Sequence, residues 1–248
     1  MSGYSIDFDF SGSDTTYLTH SLHPYPAKFP PQLPRTVLKK YGSADMTVLD
    51  PFCGSGTTLV EARLLGFNAV GVDVNGLSTL LSKVKATPLT NCEIQEIKEF
   101  IKRVEAEQTA WSRKRPNVQV KQIEGLEHWF QHNVAEELTH LVNRINEVED
   151  ADERDFLKIV VSSIIVRVSN QESDTRFAAR NKNIPDNYTF QQFVGRAYEY
   201  LDRVAEYSKM VPETGSLSLY NADSRNLDML ASNSIDMVIT SQIGRAHV

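Results

Sequence analysis

At 248 residues, with 41% hydrophobic and 23% charged residues, the chain can bury a sizeable core and is composed like an ordinary globular protein, not a disordered or fibrous one. A formal net charge of −6 argues against coating nucleic acid with a uniformly basic surface, while leaving room for a local basic cleft.

The first sixteen residues, MSGYSIDFDFSGSDTT, are polar and acidic and lack the basic-then-apolar order of a secretory signal. No apolar run in the chain approaches the ~20 residues of a membrane span, so the expected compartment is the cytoplasm. Residues 20–33, HSLHPYPAKFPPQL, form a proline-stiffened lead into a helix expected from about Pro31. An apolar strand then begins at Thr47, followed by a glycine-bearing turn and a helix with an apolar face that Gly66 suits as a terminator. Residues 68–73, NAVGVD, read as a second strand of the short, apolar kind found in parallel sheets covered on both faces. A helix over 77–86 should stop before Pro88.

From about 93 to 211 the pattern is helical, with an apolar face over 152–168 and a helix over 190–210 for which Thr189 is the expected N-cap. Two short strands follow, 216–220 and 235–240, separated by a short helix expected over 226–231. The fold class is therefore α/β, one domain built from 1–90 and 213–241 and interrupted by a helical insertion over 91–212. Cys53 and Cys92 form no CxxC pair or ligand cluster and are expected to be free thiols.

Chemistry concentrates at the turn after the first strand. Gly54 and Gly56 allow close backbone approach to a ligand, although a purely structural tight turn accounts for them equally well. No lysine follows Gly56, which excludes the phosphate loop GxxxxGK[ST]. Asp50 closes the first strand, where it would meet a ligand ammonium. Asp73 closes the second, where it would accept both hydroxyls of a ribose. The plainer alternative is that both aspartates cap nearby amides.

The run Asp50-Pro-Phe-Cys-Gly-Ser-Gly-Thr-Thr58, followed by Gly71-Val-Asp73, resembles the S-adenosylmethionine site of the DNA amino-methyltransferases that modify N6 of adenine or N4 of cytosine. The resemblance extends over about 17–241 and implies a Rossmann-like methyltransferase sheet in the spatial order 3-2-1-4-5-7-6. Only the first four strands would be present here. It also implies that Asp50, Phe52, Gly54, Gly56, Thr57 and Asp73 bind the cofactor. Tyr25 and Lys28 would close over its methionine end, and Asp223 would lie near the adenine amine. In that family the next strand delivers a loop [DNS]-P-P-[YFW]. Its polar side chain and proline carbonyl accept the target amine's N–H bonds, and its aromatic ring stacks on a base flipped from the duplex. No metal is implied.

By that likeness Ser241 is the catalytic polar residue, but Gln242-Ile-Gly-Arg-Ala-His-Val follows in place of Pro-Pro-aromatic. These seven residues back-translate to a sequence containing the common sequencing adaptor AGATCGGAAGAGCACACGTC. The expectation is therefore that 242–248 are a non-native tail, that weak cofactor binding survives without methyl transfer, and that the strand ending at Ser241 is an apolar, aggregation-prone edge. Duplex DNA is the expected partner, with a restriction partner left open. The competing readings are a tRNA guanine N2 methyltransferase, whose family shares the turn, and a noncatalytic cofactor- or DNA-binding protein. Within the insertion Arg167, Arg176, Arg180 and Lys182 form the most basic stretch, diluted by Glu172 and Asp174, and Phe177 either stacks on a partner or packs internally.

Overall fold

The computed structural model describes residues 9–241 apart from 27, 112, 114, 115, 117, 121, 122, 174 and 175. The expected tail at 242–248 lies outside the described residues. A 3-10 turn at Leu18–Ser21 is the first element, followed by α1 (Gln32–Tyr41), β1 (Thr47–Asp50), α2 (Thr57–Leu64), β2 (Asn68–Asp73) and α3 (Gly76–Ala86). The middle of the chain holds α4 (Asn91–Trp111), α5 (Leu126–Trp129), α6 (His132–Asn146), α7 (Ala151–Val168), the strands β3 (Gln171–Ser173) and β4 (Arg176–Ala179), and α8 (Tyr188–Met210). The strands β5 (Leu217–Asn221) and β6 (Met237–Val238) complete it. Two compact units result, one from 1–21, 25–88 and 209–248, the other from 22–24 and 89–208. Among the described residues no helix is long and apolar enough to cross a membrane.

The first unit is built on a parallel sheet of order β5-β2-β1-β6, the 3-2-1-4 arrangement of a Rossmann-like methyltransferase sheet. Side chains alternate across β2, and its two faces are covered differently. Val70 and Val72 join Leu49 in a core against which Leu227, Leu230 and Ile235 pack. On the other face Gly71 admits α2, since a Cβ there would sit 2.6 Å from Leu59 Cδ1. Residues 57–63 of α2 are buried without interruption, so this helix has no solvent face.

Two expectations in this unit need correction. Residues 226–231 form turns and not a helix: the Asn226 side chain accepts the Asp228 amide at 2.8 Å, and Leu230 N–H bonds Leu227 O at 2.9 Å. Six residues give too few helical hydrogen bonds to offset nucleation, and asparagine offers the backbone a local alternative. The last strand is also shorter than 235–240. Its ladder is flanked by Asp236 N–H to Thr47 O and Ile239 N–H to Leu49 O, both 3.0 Å, and Val238 on this edge is 57% exposed.

The second unit is a helical assembly with an aromatic core in which Phe100 meets Phe193 and Trp111 meets Phe190 edge to face. Asp150 caps α7 by accepting the Asp152 and Glu153 amides at 2.9 and 3.0 Å. Thr189 is not the N-cap of α8 but lies buried within its first turn. The capping acceptor is Glu137 of α6, which takes the amides of Asn187 at 2.6 Å and Thr189 at 3.1 Å. The antiparallel β3–β4 hairpin was not anticipated by any alternating apolar pattern.

Candidate functional site

β1 ends at Asp50, and the turn that follows is held on every side. Cys53 N–H bonds Val72 O at 3.0 Å, Gly56 N–H bonds Cys53 O at 2.7 Å, and Ser82 of α3 donates to Gly54 O at 3.0 Å. Gly54 and Gly56 both take positive φ, +50° and +80°, where a β-carbon is disfavoured. A Cβ on Gly54 would also come within 3.3 Å of the Tyr25 ring. Gly54→Ala should therefore destabilise the chain by about 1–2 kcal/mol from the left-handed backbone alone. Urea unfolding checks this, and an unchanged midpoint would show that the turn relaxes out of this geometry.

Asp73 ties the turn to the second strand. One carboxylate oxygen accepts Gly54 N–H and the other Asn75 N–H, each at 2.9 Å. Asp50 is 1% exposed and accepts the Phe52 amide at 3.2 Å and the hydroxyls of Thr240 and Thr58. Burial raises its carboxyl above the usual range, and the Asp73 charge adds to that. Both aspartates thus cap nearby amides, as the plainer sequence reading allowed. Asp73 in addition faces a hollow.

That hollow, about 260 Å3, is lined by Tyr25, Lys28, Phe52, Gly54, Thr57, Asp73 and Ser241 among others. It lies beyond the carboxyl ends of β1 and β2, the position where ligands of open parallel sheets bind. A second hollow of about 320 Å3 shares Lys28, Phe29 and Thr57 with it. Tyr25 is fixed by a 2.9 Å hydrogen bond to Ser78 of α3, and Lys28 donates to His20 O at 3.0 Å. Partial burial lowers the Lys28 ammonium from its ordinary value.

Three residues expected at the site do not line this hollow. Asp50 and Gly56 support the turn, with a Cβ on Gly56 falling 2.8 Å from Ser82 Oγ. Asp223 is turned to Arg225, whose Nη2 donates at 2.6 Å and Nε at 2.9 Å, and this holds its carboxyl down to about 2. Cys53 lines the hollow as a free thiol pushed up to about 12 by burial, which excludes a resting thiolate. Cys92 is free and exposed. Sequence reasoning missed the hydroxyls of Ser78 and Ser82, although their i, i+4 spacing on one helix face was a usable signal. Among the described residues no cluster of histidine, cysteine or carboxylate side chains could hold a metal ion.

The sequence model of the DNA methylase family matches residues 7–76, which include the Tyr25 and Lys28 segment, the glycine turn and Asp73. Over those residues the chain is similar to the N6/N4 DNA methylases. It is 36% identical over 104 residues to the Type II methyltransferase M.MjaII of Methanocaldococcus jannaschii, covering 40% of this chain and 19% of that protein. To the Type II methyltransferase M.MvaI of Kocuria varians it is 28% identical over 199 residues, or 76% of this chain and 44% of the relative. A tRNA (guanine(10)-N2)-dimethyltransferase of Methanothermobacter thermautotrophicus matches 52 residues at 42% identity, 21% of this chain and 16% of the relative. The chain thus spans less than half the length of each of these relatives. No solved structure matches. The matched residues include the turn that rests here on a parallel sheet.

Proposed function

We propose that this DNA methylase chain binds S-adenosylmethionine and belongs to a protein that transfers its methyl group to the exocyclic amine of adenine or cytosine in duplex DNA. The observation that carries the reading is the convergence of Tyr25, Lys28, Phe52, Gly54, Thr57, Asp73 and Ser241, drawn from four separate stretches of sequence, on one hollow. The donor set suits the ligand. A sulfonium and an ammonium are both cations, and the buried Asp50 and the pocket-lining Asp73 supply negative charge, while Lys28 offers a counter-charge to a carboxylate.

When bound, the cofactor supplies an electrophilic methyl group. Asp73 accepts its ribose hydroxyls with the lone pairs left free by the two amides. Asp50 holds the ammonium field from beneath the turn, and Tyr25 and Lys28 close over the methionine end. Asp223 reaches the adenine amine by exchanging its Arg225 contact. Ser241 accepts an N–H of a base flipped from the duplex, favouring a pyramidal nitrogen. Residues 91–212 serve as a target-recognition region, and the protein works in the cytoplasm.

The DNA reading is favoured over tRNA by coverage. An alignment of 199 residues with M.MvaI is longer than the whole first unit and must run into the second, whereas the tRNA enzyme matches only 52 residues. Calorimetric titration of S-adenosylmethionine into the full chain tests the cofactor assignment. Saturable one-to-one heat, displaced by a nonreactive sulfonium analogue, is the expected result. Absence of uptake would overturn it.

A further inference from the structure

The first hollow holds about 260 Å3, less than the roughly 300–1,000 Å3 of most small-molecule sites. A nucleoside that carries an amino-acid arm needs more room. The second hollow, about 320 Å3, shares Lys28, Phe29 and Thr57 with the first, so the two adjoin. Asp73 lines the first alone and His20 the second alone, with Lys28 common to both.

His20 is 2% exposed and held from several directions. Its Nε2 meets a carboxylate oxygen of Glu61 at 2.8 Å, and the Tyr17 ring packs against it edge to face at 4.8 Å between centroids, which fixes the orientation of the imidazole. Its carbonyl receives the ammonium groups of Lys28 and Lys85 at 3.0 and 3.4 Å. Nδ1, by contrast, has no hydrogen-bond partner among the described residues. Buried polar atoms in native proteins are nearly always paired, so this one asks for a ligand.

The chemistry of that ligand follows from the proton inventory. Glu61 takes the Nε2 proton and burial disfavours a second proton on the ring, so Nδ1 presents a lone pair. Its partner is a donor, and the Glu61 charge behind the ring favours a cationic one. Another wall of the same hollow favours an anion. Lys28 lines it, and so does Thr57, the first residue of α2, a helix whose N-terminus has no side-chain cap. A lone pair on one wall and positive charge on another suit a zwitterion with adjacent ammonium and carboxylate groups.

We propose that the second hollow receives the amino-acid end of the cofactor, with His20 Nδ1 accepting an N–H of the α-ammonium and Lys28 and the α2 N-terminus facing the carboxylate. Glu61 acts through His20 as a positioning residue, by fixing the tautomer that leaves Nδ1 free. The inference rests on the cofactor reading above and adds the residue that tells an α-amino acid from its deaminated counterpart.

The test is calorimetry on the full chain with three ligands: S-adenosylhomocysteine, its α-keto counterpart in which a carbonyl replaces the ammonium-bearing carbon, and 5′-methylthioadenosine, which lacks the arm. Wild type should bind the first about tenfold or more tightly than the second. His20→Gln keeps an amide N–H within reach of Glu61 but places no acceptor where Nδ1 lies. It should lower affinity for S-adenosylhomocysteine by about 10- to 100-fold, the worth of one hydrogen bond to a charged group, and leave the other two ligands unchanged. His20→Asn, which retains an acceptor near the Nδ1 position, should recover part of that loss, and thermal melts of both variants report folding. The 15N resonance of His20 Nδ1 reads the contact in the wild-type chain without any variant: it should shift on adding S-adenosylhomocysteine and stay on adding 5′-methylthioadenosine. An equal loss for all three ligands in His20→Gln, or an Nδ1 resonance indifferent to S-adenosylhomocysteine, would mean that His20 is structural or bridged by water. Either result would overturn the inference and leave the cofactor reading standing. A wild-type chain that takes up none of the three ligands would overturn both.

Discussion

Asp73→Ala is expected to lower S-adenosylmethionine affinity by about 30- to 150-fold. The carboxylate does two jobs at once: it accepts Gly54 N–H and Asn75 N–H at 2.9 Å each, and it forms part of the pocket wall. A hydrogen bond to a charged group contributes about 1.5–3 kcal/mol. Water can replace part of what is lost, because the Asn75 contact is exposed and the Gly54 contact only half-buried. A net loss of about 2–3 kcal/mol, the equivalent of one such bond, converts to the stated range. Asp73→Asn separates the two jobs. Its amide keeps one acceptor and must turn an NH2 toward the other backbone N–H, so it should fall between alanine and wild type in affinity. Calorimetry provides both dissociation constants and a thermal melt of each variant confirms folding. Wild-type affinity in Asp73→Ala would remove this residue from the binding assignment, even if the turn proved essential to the fold.

The parts of the fold legible in the sequence are those whose signal is local. β2 falls where the run NAVGVD placed it, α3 begins one residue before the expected 77–86 span, and α7 begins at Ala151 where an apolar face was read from 152. The turn was legible because glycine spacing and strand-end aspartates are adjacent in the chain. Part of what could not be read depends on partners distant in sequence. Glu137 caps α8 from about fifty residues away, which no inspection of the 189 region reveals. Asp223 was placed by likeness alone, and its pairing with Arg225 turns on side-chain geometry two residues away. The buried charges of α2 were invisible for a different reason. A helix covered on all sides has no amphipathic period, so Glu61 and Arg63 look like ordinary surface residues in the sequence.

Glu61→Ala should cost about 2–5 kcal/mol of stability, since it leaves two donors without their acceptor at about 1–3 kcal/mol each. Glu61 is 0% exposed. It accepts the Tyr17 hydroxyl and, at 2.8 Å, Nε2 of His20, and Arg35 Nε lies 3.7 Å from its other oxygen. Burial lowers the His20 imidazole from its ordinary value, and its Nε2 must carry a proton to donate to the Glu61 carboxylate. Removing the carboxylate strands that N–H and the Tyr17 hydroxyl together, and it unties the 3-10 turn and α1 from α2. Glu61→Gln, which keeps a carbonyl acceptor of the same reach, should recover part of the loss. A double-mutant cycle with Tyr17→Phe should show coupling, since the two groups touch. The damage should reach the pocket as well. The carbonyl of the same His20 receives Lys28 at 3.0 Å and the fully buried Lys85 at 3.4 Å, and Lys28 lines the proposed cofactor site. Urea unfolding at neutral pH measures the stability term, and a cofactor titration of the folded fraction measures the second. Equal stability of Glu61→Ala and wild type would mean that Tyr17 and His20 find other acceptors. Lost stability with intact affinity would show that the Lys28 wall holds without them.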